Sequence, residues 1–306
     1  MRTARPMVTS VSWSPERVVC ITNQRDQYVG LTHSRTEINA AATVSSLVHS
    51  QRFDLTSTYF LVAGIGGVNP EVATISSVTF ARYAIQVALQ YEIDPRELPS
   101  NFSTGYVPQG SKSPSEYPQS IYGTEVFEVN QNLQHLAASF ARNASLNDSA
   151  AAVAYRAKYA TSDIYTAGTK APSVIECDVA TSDVYYSGKL LGEAFSNYTK
   201  LITNGTGNYC TTAQEDNATL EVLVRAAATK LVDFGRIIIM RTASDFDRPY
   251  HGEPASVNLF YSSQQGAFEP AIQNIYLAGI KVVEGILNGW NTTFAKGVIA
   301  SNYIGE

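Results

Sequence analysis

The sequence predicts an α/β protein: a central, mostly parallel sheet covered by helices on both faces. Two apolar, β-rich runs, TYFLVA over 58–63 and RIIIMR over 236–241, have the continuous hydrophobicity of strands buried on both faces. Two long amphipathic segments, 214–232 and 269–287, supply covering helices. Strand-like and helix-like segments alternate along the whole chain, the pattern of a parallel sheet with helical crossovers.

Taken from the N-terminus, residues 1–33 are weakly patterned. The segment 37–49 (EINAAATVSSLVH) predicts a helix with Ile38, Ala41, Ala42, Ser45 and Val48 on one side. The run 58–63 ends in Gly64-Ile65-Gly66-Gly67, a glycine-rich loop or plain tight turn at a strand's carboxyl end. Residues 78–89 (VTFARYAIQVAL) predict a second strand. Residues 91–120 hold Pro95, Pro99, Pro108, Pro114 and Pro118 with Gly105 and Gly110, an irregular insertion of the kind that serves as a lid or an interface. A helix is expected over 131–144, with Leu133, Ala137, Phe140 and Ala144 spaced by three or four. A strand over 174–179 runs toward Thr181-Ser182-Asp183. Leu220, Leu223, Val224, Ala227 and Leu231 form one face of the 214–232 helix. The strand over 236–241 is followed at once by Thr242-Ala243-Ser244-Asp245. In the last helix Pro270 suits the first turn, and Ile272, Ile275, Tyr276, Val283, Ile286 and Leu287 make the stripe. There is no internal repeat, heptad array or long linker.

Composition narrows the function. The 306 residues are 44% apolar and 16% charged, with net charge -5, so the chain is neither disordered nor basic. Without a run of Lys and Arg, nucleic acid is not an expected partner. No segment offers the roughly 18 apolar residues of a membrane span, so this chain alone is not a channel or carrier. The first 20 residues contain Arg2, Arg5, Glu16 and Arg17 and no apolar core, which does not read as a signal peptide. Asn-x-Ser/Thr occurs at Asn101, Asn143, Asn147, Asn197, Asn204, Asn217 and Asn291. Such sites matter only in a secreted chain, and whether the natural precursor is secreted or associated with the cell surface stays open. Cys20, Cys177 and Cys210 fit either three buried thiols or one bridge, Cys177–Cys210, with Cys20 left over.

Four groups of residues could carry chemistry. Gly64, Gly66 and Gly67 after a buried strand would let backbone N–H groups approach a ligand. Asp245 and Asp247 follow an apolar strand, where burial raises a carboxyl's pKa and suits it to general acid work; the alternative is a helix cap. Glu215 and Asp216 open the best helix, either to satisfy its dipole or to aim a carboxylate at sugar hydroxyls. Tyr185 and Tyr186 could stack on a planar base. His33, His49, His135 and His251 do not pair at metal-ligand spacing, so neither a metal nor a cofactor is expected, and without a G-x-S-x-G elbow a Ser–His–Asp hydrolase of the familiar kind is not expected.

Several long runs carry a specific resemblance: EINAAA (37–42), FDLTSTYFLVAGIGGVNPEVAT (53–74), YEIDPRELPSNFSTGY (91–106), IYGTEVFEVN (121–130), TSDVYYSGKLL (181–191), YCTTAQEDNATLE (209–221) and MRTASDFDRP (240–249). From about residue 36 onward the chain resembles the fungal purine nucleoside permease family. That family in turn resembles the nucleoside phosphorylase and nucleosidase superfamily. The resemblance implies a three-layer α/β/α sandwich and a purine nucleoside as partner. By position it makes Asp245, in Ser244-Asp245, the acid that protonates N7 of the leaving purine. Glu215 would bind the ribose hydroxyls, Tyr185 would stack on the base, and 63–67, with Gly64, Gly66 and Gly67, would line the ribose side. Asn39 would support that loop.

The chain also departs from the superfamily's pattern. Residues 59–65 contain no Arg, Ser or Thr to hold phosphate, which favours water as the nucleophile, or plain binding. The superfamily's first strand is not evident, and His33-Ser34-Arg35 stands where a glycine-containing turn is usual. Residues 1–35 are therefore read as a truncated or aberrant segment, and 36–306 as a single nucleoside phosphorylase-like domain. The expected function is purine nucleoside recognition and N-glycosidic cleavage of the nucleosidase type, linked to nucleoside uptake and salvage. The alternatives are a permease or transport component, and a non-catalytic nucleoside-binding protein. Assembly into a homo-oligomer is left open.

Overall fold

The computed structural model describes residues 16–22, 27–31 and 36–306. The His33-Ser34-Arg35 turn and the rest of the N-terminal segment lie outside the described residues. In chain order the strands and α-helices are β1 (Glu16–Thr22), β2 (Gln27–Leu31), α1 (Glu37–Val48), β3 (Tyr59–Val68), β4 (Val78–Ala81), β5 (Tyr83–Gln86), β6 (Gln90–Glu92), β7 (Tyr106–Pro108), β8 (Val126–Glu128), α2 (Gln131–Ala141), α3 (Ala150–Arg156), β9 (Val174–Glu176), β10 (Asp178–Thr181), α4 (Lys189–Ile202), β11 (Tyr209–Ala213), α5 (Asp216–Ala228), β12 (Ile237–Phe246), α6 (Ala255–Phe260) and α7 (Phe268–Asn288).

The main sheet runs β8-β5-β10-β11-β3-β12-β4-β9, with β1 added to β3 and β2 to β1. Parallel ladders join β5 to β10, β10 to β11, β3 to β12 and β4 to β9. Alternation along the central strands sorts their side chains into two cores. Phe60 and Val62 of β3 and Ile237 and Ile239 of β12 pack with Val44 of α1 and Leu220 and Leu223 of α5. Tyr59, Leu61, Ala63, Ile238 and Met240 pack on the other face with Leu133 of α2 and Ile275 and Val282 of α7. Successive residues of a strand point to opposite faces, so two apolar sets on one strand require two helical layers. This is the three-layer α/β/α sandwich. Each fully buried side chain of this kind contributes roughly 1.5–3 kcal/mol.

The pairing order conceals a ring. β4 and β5 are separated only by Arg82, yet they occupy distant places in the order. β9 and β10 are likewise separated only by Cys177. Val78 to Phe80 pair with Val174 to Glu176, and Ala84 to Gln86 pair with Val179 to Thr181. The Cys177 N–H donates to the Phe80 carbonyl at 3.1 Å across the break. The two kinked strands thus stay paired along their length, one half in each end of the order. The ring closes through β12, β3 and β11. At the kink Asp178 accepts the N–H groups of Arg82 and Tyr83 through Oδ1 at 3.1 and 2.8 Å, and that of Asn208 through Oδ2 at 2.6 Å. Burial raises its pKa to about 6 despite these donors.

Several expectations change in detail. A first strand is present: residues 16–21 pair antiparallel with Tyr59 to Gly64 of β3. Val18, Val19 and Ile21 give that short run its β character, which the weak patterning around it masks. The buried face of α1 is Ala40, Val44, Leu47 and Val48, at helical spacing, and Ile38 is 80% exposed. The 91–120 insertion opens within β6 and holds its partner β7, so it begins as a two-stranded hairpin. The strand expected over 78–89 is the kinked β4–β5 unit, and that over 174–179 is β9 with the start of β10. Cys177 and Cys210 form a disulfide, with Cα atoms 5.8 Å apart.

Candidate functional site

The ends of four chain segments converge on one pocket: 65–67 of β3, 184–186 after β10, 212–215 at the end of β11 and 244–247 at the end of β12. Ser262, Ser263 and Phe268 complete it. Its volume is about 250 Å³, room for a small molecule rather than a polymer. Among the sequence-predicted site residues, Asp245, Glu215, Tyr185, Ser244, Gly66 and Gly67 line it. Gly64 does not: it is buried inside β3, paired with Arg241.

The glycine segment is strand rather than loop. β3 continues through Gly64, Gly66 and Gly67, which pair with Arg241, Ala243 and Asp245 of β12. The reason is room: a methyl group on Gly66 would overlap the Thr212 carbonyl of β11. Bare backbone at Gly66 lets the two strand ends cross closely, and the Gly67 N–H then donates to Thr212 Oγ1 at 2.8 Å.

Ser244 and Asp245 also lie within a strand. The β12–β3 register slips between Ala243 and Asp245, which leaves Ser244 as the extra residue of a bulge. A bulge re-aims side chains at a strand end, and here the Ser244 hydroxyl reaches the Gly66 carbonyl at 3.2 Å and donates to Asp245 Oδ1 at 2.6 Å. Burial pushes the Asp245 carboxyl up to about 6; the Asp247 charge adds to the rise and the Ser244 hydroxyl opposes it.

Two buried ion-pair clusters underlie the pocket. Arg241 donates to Glu215 Oε2 at 3.1 Å, to Asp216 through both Nε and Nη2, and to the Ile65 carbonyl at 3.2 Å. Burial alone would lower the pKa of this guanidinium, but Asp216 and Glu215 outweigh it and hold the charge. Glu215 is thus fixed at the N-terminus of α5 by a cation behind it. In the second cluster Arg248 donates to Asp247 Oδ1 at 2.8 Å, to Asp247 Oδ2 at 2.9 Å and to Glu71 at 2.9 Å. Tyr186 donates to Tyr209 at 3.0 Å, and Tyr209 donates to Asp247. Burial raises the pKa of both phenols, so both stay protonated.

Tyr185 stands on the pocket rim, 59% exposed, beside Val184. Asn39 is exposed on α1, its amide 3.4 Å from Thr36 Oγ1. None of the lining residues comes from the 91–120 insertion. Sequence reading missed Thr212, Ser262, Ser263 and Phe268 as lining residues and Arg241 as the anchor of Glu215. Arg241 carried a signal: a charged residue closing the apolar run IIIM needs a buried partner. Among the described residues no three His, Cys, Asp or Glu are grouped to hold a metal ion, and no helix is long and apolar enough to cross a membrane.

Fold and pocket together define an α/β/α protein with an acidic, hydroxyl-lined pocket at the ends of its central strands as its candidate site. The sequence model of the family described as purine nucleoside permease (NUP) matches residues 6–299. A purine nucleoside permease of Candida albicans is 41% identical over 284 residues, 90% of this chain and 68% of that protein. A probable purine nucleoside permease of Schizosaccharomyces pombe is 38% identical over 277 residues, 88% of this chain and 78% of that protein. The chain belongs to the purine nucleoside permease family. A solved 5'-methylthioadenosine/S-adenosylhomocysteine nucleosidase from S. pneumoniae superposes with a TM-score of 0.47 and 12% identity, over 85% of this chain and 83% of that one.

Proposed function

We propose that the pocket binds a purine nucleoside and cleaves its N-glycosidic bond with water as the nucleophile, in a step linked to nucleoside uptake and salvage. The observation that carries this reading is Asp245, a carboxyl lining the pocket, oriented by Ser244 and raised to about 6. Such a group holds a proton close to neutral pH and can release it in a transition state. As the bond from C1' to the base breaks, its electron pair moves onto the purine and Asp245 delivers its proton to N7. Glu215, anchored by Arg241, takes the ribose hydroxyls and places negative charge near the oxocarbenium-like carbon. Tyr185 stacks on the base, and Gly66 and Gly67 line the sugar side. Water adds to C1' and its proton passes to the Asp245 carboxylate, directly or through solvent, which restores the acid and releases ribose and free base.

The lining supports water over phosphate. Its charged side chains among the described residues are Glu215, Asp245 and Asp247, and no Lys, Arg or His joins them. Arg241 and Arg248 are engaged behind the wall by Glu215 and Asp247, so a phosphate in the pocket would meet acidic side chains and no cation facing it. The test is incubation of the purified protein with inosine, guanosine and adenosine, with and without phosphate, followed by chromatography. Free base and ribose in both conditions support the reading; ribose 1-phosphate formed only with phosphate overturns it.

A second reading is favoured by the relatives' names: the chain acts in nucleoside uptake, as a transport component or a binding protein. Saturable nucleoside binding without product, or changed uptake of intact labelled nucleoside in cells, would select it.

A further inference from the structure

We propose that the chain carries N-linked glycans at its exposed Asn-x-Ser/Thr asparagines, Asn101, Asn143, Asn147, Asn197, Asn204 and Asn291, and none at the seventh, Asn217. Two independent observations support this. The first is the Cys177–Cys210 disulfide, which ties the kink between β9 and β10 to β11. Its residues are 3% and 0% exposed, so the bridge belongs to the core and not to a surface redox switch. Such bonds form and persist in oxidising compartments, the same compartments in which N-glycans are attached in eukaryotic cells.

The second observation is how the fold sorts the seven acceptors. Six are exposed. Asn101 lies in the 91–120 insertion, Asn143 and Asn147 follow α2, Asn197 is on α4, Asn204 is in the turn after α4 and Asn291 follows α7. The Asn143 amide donates only to carbonyls of its own helix, Ser139 and Phe140, and that of Asn147 to the side chain of Gln273. Glycans at these places extend into solvent, and none of the six asparagines lines the pocket.

Asn217 is different in every respect. It is 5% exposed, two residues beyond Glu215 on the first turn of α5. Its Nδ2 donates to Glu37 Oε1 at 2.9 Å and its Oδ1 accepts from Thr181 Oγ1 at 2.6 Å. A sugar on Nδ2 has no space there, and it would separate α1 from α5. The transferase reads the unfolded sequence, whereas the fold decides which products survive.

In the transfer, Nδ2 of the asparagine displaces a polyprenyl-diphosphate from C1 of the donor oligosaccharide. The Nδ2–C1 bond forms, the C1–O bond to diphosphate breaks, and one amide proton leaves with the lipid diphosphate. No oxidant or reductant is involved.

The test uses the folded protein isolated from its native cells. Amidase removal of N-glycans in isotope-labelled water is followed by electrophoresis and peptide mass mapping. A fall in apparent mass, with label at exposed acceptors and none at Asn217, is the expected result. No fall in apparent mass, or label at Asn217, overturns the proposal. Two variants made in the same cells read the sites singly. Thr206→Val should remove one glycan, and Thr219→Val should remove none; loss of a glycan from the second variant overturns the assignment of Asn217. Alkylation of Cys177 and Cys210 in protein denatured without reductant would overturn the compartment argument on which the proposal stands.

Discussion

Arg241 Nη2 donates to Glu215 Oε2 at 3.1 Å, and the same guanidinium binds Asp216 and the Ile65 carbonyl. One side chain thus ties β12, β3 and the start of α5 together beneath the pocket. Replacing it by Leu strands two carboxylates without their cation. We expect Arg241→Leu to lose about 3–5 kcal/mol of stability, read from urea denaturation midpoints. A loss below 1 kcal/mol would show that Glu215 and Asp216 find other partners.

Asp245→Asn keeps the shape of the side chain but removes the transferable proton. We expect nucleoside cleavage to fall by about 10²–10⁴-fold, with nucleoside affinity changed by much less. Single-turnover cleavage and equilibrium binding separate the two. Equal loss of both would place Asp245 in binding rather than in proton transfer.

The same residue sets a pH dependence of stability. Its folded pKa is about 6 and its ordinary value is 3.8. Below pH 4 the carboxyl is protonated in both states and contributes no difference. Between these values the folded chain keeps a proton that the unfolded chain releases, so its contribution falls as pH rises and is fully lost above pH 6. Asp245→Asn should therefore match the parent near pH 4 and exceed it by roughly 1–3 kcal/mol at pH 7. Paired denaturation curves across that range decide it; a constant difference rejects the assignment.

Gly66 and Gly67 should respond differently to alanine. At Gly66 the methyl group meets the Thr212 backbone, which cannot rotate away. At Gly67 the nearest atoms are side-chain oxygens, Thr212 Oγ1 at 3.2 Å and Asp245 Oδ2 at 3.5 Å. Gly66→Ala should cost about 1–3 kcal/mol or more, while Gly67→Ala should fold and lower activity by displacing Asp245. Thermal melts and initial rates of both variants test the contrast.

Reduction of the Cys177–Cys210 bridge, or its replacement by two alanines, frees a loop of 33 residues in the unfolded chain. The expected loss is roughly 3–4 kcal/mol, measured by denaturation with and without reductant.

The legibility of these features follows their physics. The strands around Leu61 and Ile238 were plain in the sequence because burial on both faces leaves an unbroken apolar run. Ser244-Asp245 stood out because unusual polar residues follow such a run, and Glu215 because it opens the strongest amphipathic helix. The kinks at Arg82 and Cys177 were not, since local propensity is strand-like on both sides and only the closing of the ring requires the bend. The exposed Ile38 shows the same limit on α1: helical periodicity was evident, but its partner α5 selects the face. Thr212 escaped because its role comes from a strand crossing at Gly66, a contact between residues 146 positions apart in a sequence that gives no local sign of it.

The ring of strands also dictates when the chain can finish folding. β3 and β4 leave the ribosome early, but the strand that joins them, β12, ends at Phe246. Until then both early strands present unpaired apolar edges, and Gly66 and Gly67 have no Asp245 opposite them. Synthesis must therefore pass four-fifths of the sequence before either the barrel or the pocket exists, and a chain stopped short of β12 holds an open sheet rather than a smaller version of this one.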